Sequence, residues 1–129
     1  MFKNTTAFSS FSVDDMAKAK EFYQNTLGLL VKEMPEGLEL RLGGGGGRVF
    51  VYLSTDYQAP DHTVLNFVVD DVEKAVDALS AKGVRMEHYD EGDFKTDAKG
   101  ICRGDGSMGP KAIAWFKDPA GHILAVMQE

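Results

Sequence analysis

Val13-Asp14-Asp15-Met16-Ala17-Lys18-Ala19 recurs 56 residues later as Val69-Asp70-Asp71-Val72-Glu73-Lys74-Ala75. A unit of that length occurring twice means two equivalent supersecondary modules rather than a solenoid. Each copy follows a β-branched apolar stretch and opens a helical pattern. In the second copy Val72, Ala75, Val76 and Leu79 fall at i, i+3, i+4 and i+7, one face of an α-helix. In the first, Met16, Ala19, Phe22, Tyr23 and Leu27 form the same stripe. An aspartate ahead of each helix accepts hydrogen bonds from the free N–H groups of the first turn and suits its positive end. Gly28 and Gly83 supply the left-handed residue that stops each helix.

Outward from the repeat, the remaining segments read as strands. Thr5 to Val13 leads into the first helix and Val64 to Val69 into the second. Leu38-Glu39-Leu40-Arg41-Leu42 alternates with period two, and Arg48 to Ser54 is rich in β-formers. Ala112 to Phe116 and His122 to Met127 flank the turn Asp118-Pro119-Ala120-Gly121. Strands are also predicted directly after each helix, at Leu29–Lys32 and Val84–Tyr89. Each half is then strand, helix, three strands, an α+β architecture of two βαβββ modules, about 1–58 and 59–129, in one domain. Residues 90–110 fit neither pattern and read as a lid or as a loop without function.

The totals narrow the function classes. A length of 129 residues suffices for one stable core without staples. A net charge of −6 disfavours nucleic acid and anionic membrane surfaces as partners. No apolar run approaches the length of a membrane span and no signal peptide is read at the N-terminus. Cys102 stands alone, so no internal disulfide forms, which suits the reducing cytoplasm. It has no histidine at catalytic spacing and reads as an ordinary thiol. The five glycines at 43–47 join two strands and precede neither a Gly-Lys-Ser/Thr motif nor a helix, so they are no phosphate cradle. Asp93, Asp97 and Asp105 lack calcium-loop spacing. No serine nucleophile elbow is present.

Two βαβββ modules with Val-Asp-Asp helix starts, Phe22-Tyr23 followed by Leu27-Gly28-Leu29, and the C-terminal Trp115-Phe116-Lys117-Asp118-Pro119-Ala120-Gly121-His122-Ile123-Leu124 together resemble the vicinal oxygen chelate superfamily. That group includes glyoxalase, extradiol dioxygenases and bleomycin-resistance proteins. The resemblance implies sheets curled around a shared cavity, helices on the outer face, and commonly a homodimer. In metal-dependent members four strands each point one ligand inward. Carried over one at a time, those positions fall on Phe8, near Val51 within Phe50–Tyr52, on Val64 and on Ala125. None of Phe8, Val51, Val64 and Ala125 can donate to a divalent ion. The implied member is therefore metal-free and cofactor-free, resembling the bleomycin-resistance type. His62, two residues before Val64, stays on the same face by alternation, about 6.6 Å along the strand. It reads as a solvated histidine, as does His122 after its turn. His88 receives no role.

The same register turns Phe8, Ser10, Ser12, Val64, Asn66, Val68, Ile113, Trp115, Ile123, Ala125 and Met127 toward the cavity. Leu38, Leu40 and Leu42 pack beneath the helices, and Glu39 and Arg41 face the cavity or its rim. The candidate ligand-binding set is Phe8, Ser10, Arg41, Val64, Asn66, Ile113, Trp115, Ala125 and Met127. It is apolar and aromatic with a few polar points, the make-up of a small-molecule pocket. Trp115 offers a stacking surface, Ser10 and Asn66 hydrogen bonds, and Arg41 a partner for an anion. Three readings follow: a protein that sequesters or carries a small, partly aromatic molecule; a lyase or isomerase with displaced metal ligands or with Glu39, His62 or Asp93 as base; or an interaction module with a filled cavity.

Overall fold

The computed structural model describes residues 1–43, 46–90, 92–104 and 109–129, and leaves the Asp93 side chain undescribed. The chain forms two compact units, Met1–Gln58 and Ala59–Glu129. In the first, strand β1 (Ser9–Val13) leads into helix α1 (Met16–Lys20), followed by β2 (Leu30–Met34), β3 (Gly37–Leu42) and β4 (Gly47–Leu53). In the second, β5 (Thr63–Val68) leads into α2 (Val72–Ala81), followed by β6 (Ile101–Arg103), β7 (Ala112–Lys117) and β8 (Ile123–Gln128). Both units are βαβββ. Each is an open four-stranded mixed sheet, ordered β1-β4-β3-β2 and β5-β8-β7-β6, in which only the first-listed pair is parallel.

The repeated aspartates do what their position suggests. Asp15 accepts from the Lys18 N–H at 3.0 Å and Asp71 from the Lys74 N–H at 3.1 Å. The first helix departs from the α pattern after Lys20. Residues Glu21–Thr26 form a π turn, with the Leu27 N–H reaching the Phe22 carbonyl. The wider turn lets two adjacent aromatics, Phe22 and Tyr23, both bury their rings, edge to face at 5.2 Å.

Residues opposite one another across a ladder share a face. Val13, Leu38, Leu40, Val49 and Val51 are buried on one face of the first sheet. Phe11, in register with Val51, sets its ring 6.0 Å from that of Tyr23, so this face lies under the helix. In the second sheet Ala112, Ala114, Phe116, Leu124 and Val126 form the buried face. Gln128, on that same face, accepts from the Val72 N–H at the start of α2.

Two strand expectations are corrected. Val84–Tyr89 is not a strand: Met86 makes only an isolated bridge to Phe116, and Glu87 donates to the Trp115 carbonyl. The third member of this sheet edge is instead β6, which pairs Ile101–Arg103 with Ala112–Ala114. The free edge of β7 is thus covered in two instalments, residues 86–87 and then 101–103, with an excursion between them. Gly100 permits the close return: a Cβ there would sit 3.0 Å from both the Glu87 carbonyl oxygen and the Met86 Cβ. In β5 a bulge between Thr63 and Leu65 leaves Val64 as the extra residue. Among the described residues no helix is long and apolar enough to cross a membrane.

Candidate functional site

The face of each sheet away from its helix carries most of the expected residues, in two groups. In the second unit the ladder aligns Asn66 with Ala125 and Trp115, and Val68 with Met127 and Ile113. Five candidates, Asn66, Ile113, Trp115, Ala125 and Met127, therefore share one face. Val64 does not follow from the ladder, because it is the bulged residue. The bulge also breaks the alternation that linked His62 to this face: Thr63 pairs with Ile123, and His62 is exposed before the strand begins.

Trp115 is not alone. Tyr89 and Phe94 stand edge-on to it, with centroids 5.4 and 6.0 Å away and interplanar angles of 84° and 85°. Both come from the excursion, Phe94 at the end of a 3₁₀ turn, Gly92–Phe94. The excursion is held by its own hydrogen bonds. The Thr96 hydroxyl donates to the Tyr89 carbonyl and accepts from the Tyr89 N–H. Asp97 Oδ1 accepts from the backbone N–H groups of Lys99 and Ile101, both at 2.9 Å. Ion pairs tie its return limb to α2: Lys99 Nζ lies 3.1 Å from Asp77 and 3.3 Å from Glu73, and Arg103 pairs with Asp97.

In the first unit, Ser10 aligns with Phe50 and Glu39, and Ser12 with Tyr52. The Phe50 and Tyr52 rings stack at 6.2 Å. Phe8 lies just before β1 rather than in it, with the Arg48 guanidinium 4.7 Å above its ring centroid. Arg41 is paired while staying half exposed: its Nε and one terminal nitrogen donate to Glu39 Oε2 at 3.2 and 3.0 Å. Phe8, Met34, Glu36, Glu39, Arg48 and Phe50 line an open groove of about 430 Å³.

The ladder also narrows the position expected within Phe50–Tyr52. Val51 is fully buried on the helix side with Phe11 and Leu38, so the open face of β4 presents Phe50 and Tyr52 instead. Phe8, Val64 and Ala125 carry only carbon. Among the described residues no group of three or more His, Cys, Asp or Glu side chains could hold a metal ion. Among the described residues, those at the carried-over positions do not make up the donor set a divalent ion needs. Asp97 is used by its own turn, while Asp105 and the Asp93 side chain lie outside the described residues. His88 is exposed. His122 is a further correction, being 2% exposed. Its N–H donates to Asp118 Oδ1 and its carbonyl accepts from the Asp118 N–H, and this closed turn draws it into the interior.

The superfamily model for glyoxalase, bleomycin resistance protein and dioxygenase matches residues 6–126. The chain belongs to that superfamily. It is 25% identical over 128 residues to the uncharacterized protein YraH of Bacillus subtilis (strain 168), covering 88% of this chain and 90% of YraH. A glyoxalase family protein from Enterococcus faecalis superposes with a TM-score of 0.69 at 20% identity, covering 98% of this chain and 99% of the other. TnmS3, an antibiotic binding protein from Streptomyces sp. CB03234, superposes with a TM-score of 0.65 at 22% identity and covers 97% of each chain. These two superpositions establish the fold.

Tyr89, Phe94, Arg48, Phe50 and Tyr52 were not in the sequence-derived site. The last three were readable from β4 alternation once its inward face was known. The first two had no local signal.

Two charges in the excursion titrate away from their ordinary ranges. Burial pushes the Asp97 carboxyl up, but the Ile101 and Lys99 N–H bonds and Arg103 outweigh it, leaving the pKa below the usual carboxylate value. Its bond to Asp77, then that to Glu73, raises Lys99. The Asp97 contribution is therefore complete above about pH 4 and lost as pH falls through the depressed value. That of Lys99 is complete below about pH 10.4 and lost as pH rises through the raised one. Trp115, the only tryptophan, reports on both. Its emission is expected to be flat from about pH 5 to 9 and to shift in acid. Asp97→Asn is expected to remove most of that acid transition and to give the loosened spectrum at neutral pH.

Proposed function

We propose that this protein is a metal-free binding member of its superfamily, holding a small, partly aromatic molecule on the open sheet faces to sequester or carry it. The observation behind this reading is Trp115 boxed by Tyr89 and Phe94 on an apolar face with Ile113, Ala125 and Met127, where a planar ring can stack. Val64 and Asn66 are retained as further candidate contacts on the second unit, and Phe8, Ser10 and Arg41 as candidate contacts on the first. TnmS3 is described as binding an antibiotic, which supports a binding role over catalysis here. The reading includes a cytoplasmic homodimer.

Metal analysis of untagged protein equilibrated with zinc, nickel, cobalt or iron(II), together with Trp115 quenching by a panel of planar aromatic compounds, tests it. Quenching without stoichiometric metal is expected. One tight metal per chain would replace this reading with a lyase or isomerase using rebuilt ligands, and a panel without a binder would favour an interaction module.

A further inference from the structure

The open face of the first sheet contains a charge arrangement that the proposed function does not use. Glu39 is nearly covered, with its side chain 13% exposed, and two guanidinium groups face it. They are not equivalent. Arg41 closes on Glu39 Oε2 through two N–H bonds and neutralises it. Arg48 approaches the other carboxylate oxygen only to 3.8 Å, too far for a hydrogen bond. Arg48 instead sets its guanidinium carbon 4.7 Å from the Phe8 ring centroid, half exposed, at the wall of the groove. A guanidinium set against an aromatic ring, with its donor fork not hydrogen-bonded to the nearby carboxylate, has that fork to offer a planar oxyanion. Phe50 and Met34 offer apolar surface alongside. Glu36, exposed on the rim, opposes an anion, while Lys32, in register with Glu39, favours one.

We propose that Arg48 is the anchor of an acid-binding subsite, taking a carboxylate or sulfonate borne on a flat apolar body that lies against Phe8 and Phe50. This rests on the reading that the protein binds planar small molecules, and it narrows their class to organic acids. Glu39 then limits the affinity: its second oxygen, 3.8 Å from Arg48 Nε, competes with a bound acid for that guanidinium.

Two dyes of matched shape test this on the whole protein: the anionic 1-anilinonaphthalene-8-sulfonate and the uncharged N-phenyl-1-naphthylamine. Arg48→Gln is expected to weaken the anionic dye about tenfold, the scale of one charge-assisted bond, and to leave the neutral dye within about twofold. Glu39→Gln is expected to act in the opposite sense, tightening the anionic dye alone. Salt from about 0.05 to 1 M should weaken the anionic dye only. Thermal melts of both variants show that each folds. Opposite signs at Arg48 and Glu39 cannot arise from a common loss of structure. If both dyes bind and Arg48→Gln changes neither, or both alike, the subsite is overturned while small-molecule binding stands. If only the anionic dye binds, with the Arg48 dependence, the subsite and small-molecule binding both stand, and the acid group rather than apolar contact carries the affinity. If neither dye binds, both are overturned.

Discussion

Gly37→Ala is expected to cost about 3–4 kcal/mol, lowering the melting temperature by roughly 10–15 °C or preventing folding. Gly37 is the first residue of β3, opposite Met34 and beside β4. A Cβ at that position would overlap the Val51 carbonyl oxygen and lie 3.1 Å from Phe50 Cζ. The first contact is with backbone in the centre of a sheet. No rotamer change relieves it, so β3 and β4 must separate. That separation opens the face on which Leu38, Leu40, Val49 and Val51 are buried. Gly43→Ala is the control. Gly43 has φ +60° with nothing among the described residues within 4 Å of an added Cβ, so the left-handed strain of about 1 kcal/mol is the cost expected. Melts followed by circular dichroism compare the two. A Gly37→Ala protein as stable as the Gly43→Ala protein would show that the strands part without cost.

The contrast between these glycines shows where the sequence was legible. The repeat at Val13 and Val69, the caps at Asp15 and Asp71, and the alternation of Leu38 to Leu42 are local signals. They carried through to two βαβββ modules with leucines under the helix. Alternation from Ile113 to Trp115 and from Ala125 to Met127 likewise placed these residues together on one face of the second sheet. Three features had no local signal. β6 is only three residues long, Ile-Cys-Arg, flanked by glycines. It exists because β7 presents a free edge, a tertiary cause. The bulge at Val64 shifts register by one residue, and period-two reasoning cannot see an insertion of that size. The meeting of Tyr89 and Phe94 with Trp115 depends on a return path fixed by Gly100 and Asp97, and no spacing rule encodes it. The sheet faces were thus readable, while what stands over one of them was not.

Trp115→Ala is expected to weaken binding of a planar aromatic ligand about a hundredfold, from loss of stacking area together with the edge contacts that orient it. The effect should fall on the dissociation rate, since truncation leaves the approach to the face unobstructed. Phe94→Ser, which removes one wall of the box and leaves the stacking surface, is expected to cost about tenfold. Phe94 is 63% exposed, so its loss should scarcely change stability. Trp115 is part-buried and its truncation also removes two ring contacts from the excursion, so Trp115→Phe is the needed companion. A smaller ring keeps the apolar contact with a reduced face, and an intermediate affinity is expected. Calorimetric titration of the best compound from the quenching panel measures all three, since two of the variants lack the fluorophore. Graded loss in the order Trp115→Ala, Trp115→Phe, Phe94→Ser would mean that ring area over this face sets affinity. Equal small losses in all three would mean the ligand is held elsewhere, and the aromatic box would then be reinterpreted as the packing that fastens the excursion to its sheet.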